Sequence, residues 1–157
     1  MDAVLLDNLV VFFALVFYAF LFVVYFLRAR ELSKLELKLR IAFSAQLIPF
    51  ASLWILNFLI GNDSGRSLAG LPVIIYLVYD LWYRLITRKK PYHHPKLWPP
   101  GLIIYLLLLF IGSIGLNWYG YLTSRLYGSM LVIAFFVMMS SYGYYQYSHN
   151  KKRTRMQ

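Results

Sequence analysis

The sequence predicts an all-α polytopic integral membrane protein with five transmembrane helices, its N-terminus outside and its C-terminus inside. Three observations carry this. First, hydrophobic residues make up 61% of the 157-residue chain and charged residues only 14%, against roughly 45–50% and about 25% in soluble domains. A soluble domain of this length has too little interior to hide that much apolar surface. Second, residues 3–27, 41–60, 68–86, 101–118 and 127–147 are apolar runs, close to the ~20 residues a helix needs to cross the hydrocarbon core. Third, fourteen of the sixteen basic residues fall on one side of such a five-span chain, as the preference of lysine and arginine for the cytoplasmic face requires.

The first run, residues 3–27, reads as a retained span. Asp2 and Asp7 stand where a signal peptide would be positive, and the run is too long for a signal-peptide core. A basic inner segment follows at residues 28–40, with Arg28, Arg30, Lys34, Lys38 and Arg40. Within it, Ser33 and Glu36 have the spacing of a capping box, which places the start of the second helix near Lys34. Pro49 falls inside the second span and predicts a kink there. Gly61 is the predicted helix stop. Pro72 fits the first turn of the third helix.

Residues 84–98 form the second basic inner segment and hold Arg84, Arg88, Lys89, Lys90 and Lys96. Pro91, Pro95, Pro99 and Pro100 make this stretch a stiff elbow between the third and fourth helices. The fourth and fifth runs are parted only by YGYLTSRL. As a single helix from residue 101 to residue 147 they would extend about 70 Å, so the chain has to turn back. The tail, residues 148–157, adds Lys151, Lys152, Arg153 and Arg155 on the inside. The outer side keeps Arg66 and Arg125 with the acids Asp2, Asp7 and Asp63. Residues 1–157 thus form a single transmembrane domain.

Several function classes drop out. There is no cysteine, which removes disulfides, thiolate metal sites, iron–sulfur clusters and cysteine nucleophiles. The net charge of +10 is explained by membrane orientation and lipid contact rather than by nucleic acid. No nucleotide-binding fingerprint, phosphate-binding loop, nucleophile elbow or HExxH motif occurs. Haem between helices needs histidines deep on facing spans, and His93, His94 and His149 all lie at the inner face. With Asp80 they are the only conceivable metal set, and their spacing matches no structural site. No cofactor, metal or catalytic residue is assigned.

The candidate functional residues are polar groups within spans. Asp80 is the acid set inside a span, and ionisable residues there are costly and often functional. Arg84 follows it by four residues, so an ion pair on one helical face is the simpler reading; Tyr76 and Tyr83 share that face. Gln46 and Asn57 lie eleven residues apart, close to three helical turns, and read as interhelical hydrogen-bonding groups or the lining of a polar cavity. Arg88, Lys89, Lys90 and Trp98 are expected to dock anionic headgroups or a partner. Gly112, Gly115, Gly128, Ser129, Ser140 and Gly143 are small enough for close helix contacts.

The expected function is that of a non-catalytic accessory or structural subunit of a larger membrane complex. Its partners would be anionic lipid and other membrane subunits or further copies of itself. One alternative is a small transporter or channel using Asp80 and the polar face of the second and third helices. Another is a membrane enzyme acting on lipid or quinone at the inner headgroup plane.

Overall fold

In lipid a backbone N–H or C=O finds no partner but its own helix, so apolar runs of this length fold as helices. The computed structural model describes residues 3–30, 32–61, 64–87 and 100–155. They form α1 (Ala3–Ala29), α2 (Ser33–Ala45), α3 (Leu47–Leu59), α4 (Ser64–Thr87), α5 (Pro100–Thr123) and α6 (Arg125–Arg155); no strand occurs among the described residues. Among the described residues, four stretches are long and apolar enough to cross a membrane: Ala3–Ala29, Ala42–Leu59, Ile103–Thr123 and Arg125–Ser148. The 24 residues of α4 reach about 36 Å. That is long enough to cross, although α4 is not among those four.

The helices pack in the order α1, α6, α5, α4, α3, and α3 closes back onto α1. Along α1 the residues Leu6, Val10, Ala14, Phe17, Leu21 and Val24 are buried. Their three- and four-residue spacing defines one helical face. The centre of the core is aromatic. The Phe17 ring lies 5.4 Å from Phe43, 6.1 Å from Phe50 and 5.9 Å from Tyr76, drawing α1, α2, α3 and α4 together at one level.

Small residues set the closest approaches. A Cβ on Gly115 would run into the carbonyl oxygen of Ala69, and one on Gly112 would come within 3.2 Å of the Val73 Cα. These two positions let α5 lie directly against α4. Gly128 is pressed against the Tyr121 ring in the same manner. Ser129, Ser140 and Gly143 differ: all three are exposed on α6.

Several local expectations need correction. The start of α2 shifts: Leu32, not Ser33, is its N-cap, and the helix begins at Ser33. Glu36 accepts from Arg28 Nε at 2.6 Å, because a charged donor outcompetes a backbone amide. Pro49 does more than kink the second helix. The helical run is interrupted at Gln46, since the proline ring displaces the carbonyl four residues earlier and offers it no N–H. Pro72 sits inside α4 rather than in its first turn, because that helix already begins at Ser64. The α5–α6 turn shrinks to Ser124 alone; its Oγ accepts from the Tyr127 amide at 3.1 Å and caps α6. Gly61 does end α3, with φ of +70°, a conformation that a side chain makes costly.

Candidate functional site

Two sets of polar side chains are buried between the helices, at different depths. The first lies where α1 begins. Asp7 on α1 accepts from Arg66 Nη1 on α4 at 2.6 Å and from the Tyr119 hydroxyl on α5 at 2.7 Å. Asn57 on α3 donates through Nδ2 to the same Tyr119 oxygen at 2.9 Å. Arg66 also donates to the Leu122 carbonyl at 3.2 Å. Asp7, Asn57 and Tyr119 are all buried, so four helices are tied by one network with little access to water. In such surroundings the charge on Asp7 is tolerable only because a cation and a hydroxyl both face it.

The second set lies about 16 Å deeper, three helical turns from Asn57. Gln46 stands at the α2–α3 break with only 5% of its surface exposed, and neither its Nε2 nor its Oε1 has a hydrogen-bond partner among the described residues. Phe43 and Phe50, one turn to either side of it, both pack on Phe17. Tyr76 of α4 touches the same aromatic group and shares a hydrogen bond of 2.6 Å with the Tyr105 hydroxyl of α5. Asp80, one turn further along α4, is buried and is not left without a partner. Elsewhere the single proton of the Tyr18 hydroxyl is shared between the Ser113 carbonyl and Asn117 Oδ1, at 3.1 and 3.0 Å, joining α1 to α5. No family model, curated protein or solved structure matches this chain.

Gln46 and Asn57 are thus both interior but do not meet: among the described residues the Gln46 amide has no partner at either atom, while Asn57 joins the Asp7 network through Nδ2 and leaves only its Oδ1 unbonded. The orphaned amide is a cost of about 1–3 kcal/mol that native interiors seldom carry without a reason. Tyr76 and Asp80 lie nearer Gln46 in depth. Arg88, Lys89, Lys90, Trp98, His93 and His94 lie outside the described residues, as do the side chains of Tyr83, Arg84 and His149. Among the described residues no group of three potential metal ligands occurs.

Sequence reasoning missed Asp7 and Arg66 as interior groups. The distribution of charge places both on the outer side, although Asp7 falls within the first apolar run. One signal was available: a lone acid in the second turn of one span and a lone arginine at the start of another occupy the same end of the bundle. Opposite charges stranded at one depth have every reason to pair.

Two surface features complete the picture. Where α1 ends, Glu36 holds Arg28, while the Arg30 guanidinium rests over the Phe26 ring at 5.4 Å. Between α1 and α6 runs an apolar groove of about 410 Å³, with Leu15, Ala19 and Phe22 on one wall and Ile133, Ala134 and Val137 on the other.

Proposed function

We propose that the chain is a non-catalytic structural subunit of a larger membrane complex, crossing the membrane five times with its N-terminus outside and its C-terminus inside. In this topology α2 and α3 together make one crossing and α4 makes the next. The sorting of basic residues supports the orientation. The observation that carries the subunit reading is the outward face of α6. There Ser140 and Gly143 are exposed one turn apart, and nothing lies within 4 Å of a Cβ placed on Gly143. Phe136 and Tyr147 stand exposed on the same face. Small residues among large ones make a notch that a neighbouring helix fills with dense packing, the main source of helix association in lipid.

Purification from the native membrane in mild detergent, followed by mass spectrometry of what accompanies the chain, tests this. A stoichiometric membrane partner, or a second copy, is the expected companion. Gly143→Leu should release it while leaving the melting temperature of the chain unchanged. Recovery of the wild-type chain alone, as a monomer, would overturn the reading.

A second reading, a small transporter, is favoured by Gln46. A helix interrupted at depth with an orphaned amide is the kind of element on which carriers build substrate sites. Gln46→Leu separates the two. As a packing element the variant gains stability, because a buried amide without partners has been replaced by an apolar group. As a transport element it loses flux, and Asp80→Asn loses flux with it.

A further inference from the structure

The groove between α1 and α6 and the arginine beyond it fit a single ligand, and we infer that together they form a binding site for one anionic glycerophospholipid. Leu15, Ala19, Phe22 and Phe26 follow one another at three- and four-residue steps and form one stripe along α1, and Arg30, four residues further, stands just past its end. The lower part of that stripe is the groove wall. The upper part is a run of aromatic faces: Phe22 stacks on Phe26 at 6.4 Å and Phe26 on Tyr144 at 6.3 Å. Arg30 closes the stripe, its guanidinium held over Phe26. Leu15 to Arg30 spans about 22 Å along the helix, and one membrane leaflet with its headgroups is about 20–22 Å thick. The stripe therefore leads from headgroup depth to the bilayer centre.

Size and charge select the occupant. The groove stays open because Ala19 and Ala134 stand on its walls where larger residues would fill it. Its volume of about 410 Å³ suits an acyl chain. Seven residues of a helix 10–12 Å across occupy roughly 800 Å³ or more, so a partner helix would lie over the groove without entering it. At the headgroup end Arg28 is neutralised by Glu36. Arg30 is exposed and has no acidic partner among the described residues. A guanidinium held over a ring keeps its N–H fork free to meet a phosphate.

The inference rests on the membrane placement proposed above and not on the subunit reading. Gly143→Leu, which tests that reading, should leave lipid retention unchanged. The test is native mass spectrometry of the full chain in detergent, supplied with dioleoyl phosphatidylglycerol or dioleoyl phosphatidylcholine. The wild type should retain one phosphatidylglycerol per chain in preference to phosphatidylcholine. Arg30→Gln should reduce that retention roughly five-fold, to the phosphatidylcholine level, as expected for one lost cation at an anionic surface. Ala19→Phe, at an exposed position that tolerates bulk, should abolish retention of both lipids with an unchanged melting temperature. Equal retention of the two lipids by the wild type, or wild-type retention by both variants, would overturn the inference. So would a photocrosslinker at Ile133 that captures a protein chain instead of lipid in intact membranes.

Discussion

Removing Arg66 should destabilise the bundle more than removing Asp7, although the two form a single ion pair. Their contact is 2.6 Å, with side-chain exposures of 24% for Arg66 and 8% for Asp7. Breaking a fully buried pair by deleting one partner costs about 3–5 kcal/mol, while a surface pair is worth about 0–1 kcal/mol. Arg66→Ala leaves a carboxylate in the interior with only the Tyr119 hydroxyl facing it, so the loss should fall near the buried limit, about 3 kcal/mol. Asp7→Ala leaves a guanidinium that is already a quarter exposed and still bonded to the Leu122 carbonyl. That group can swing toward water or headgroups, and the loss should be about 1–2 kcal/mol, between the two limits. A double variant, Asp7→Leu with Arg66→Met, removes both charges and should return to within about 1 kcal/mol of wild type. Equilibrium unfolding in mixed micelles of dodecyl maltoside and dodecyl sulfate, followed by tryptophan fluorescence, measures all three. If Asp7→Ala cost as much as Arg66→Ala, or if the double variant cost the sum of the two, the buried-pair argument would fail.

Other substitutions probe the backbone contacts and the topology. Gly115→Ala places a methyl against the Ala69 carbonyl, and should cost about 1–3 kcal/mol as α5 is pushed off α4, seen as a lower melting temperature in detergent. Pro49→Ala restores an amide able to bond the Ala45 carbonyl. It should merge α2 and α3, and spin labels at Lys38 and Ile55 should then move apart toward the ~26 Å of a continuous helix. Gly61→Ala forces a side chain into positive φ and should cost about 1 kcal/mol, read by the same micelle titration. Cysteines introduced at Gly61 and Ser124 should label from one side of a sealed vesicle and a cysteine at Arg155 from the other; labelling of all three from one side would contradict the five-span topology.

Much of the architecture was legible because the relevant forces are local in sequence. An apolar run of twenty residues in lipid has only its own carbonyls for its amides, so helix content and the rough positions of four long apolar helices follow from composition. Gly61 was readable for the same reason: one residue type tolerates one backbone conformation. The interruption at Gln46 was half legible. Pro49 announced a disturbance, but where the chain gives way depends on which carbonyl its neighbours leave unpaired. Glu36 shows the opposite case. Its spacing from Ser33 is a good local signal, yet Arg28 on the preceding helix, eight residues back, takes the carboxylate first.

The polar interior was legible as residue types and illegible as partnerships. Gln46, Asn57, Tyr76 and Asp80 could each be marked as groups that lipid would not tolerate bare. That Asn57 reaches Tyr119 across 62 positions, and Tyr119 reaches Asp7 across 112, depends on which helices are neighbours, and no periodicity within one helix encodes that. The same holds for the small residues. Gly112, Gly115 and Gly128 face inward while Ser129, Ser140 and Gly143 face out, although composition ranks them alike. Hydrophobicity and charge, summed along the chain, decided by themselves that this protein is a bundle of long apolar helices. Tertiary packing alone decided which charges pair, which amide is stranded and which groove stays open, because those depend on contacts between segments that the sequence holds far apart.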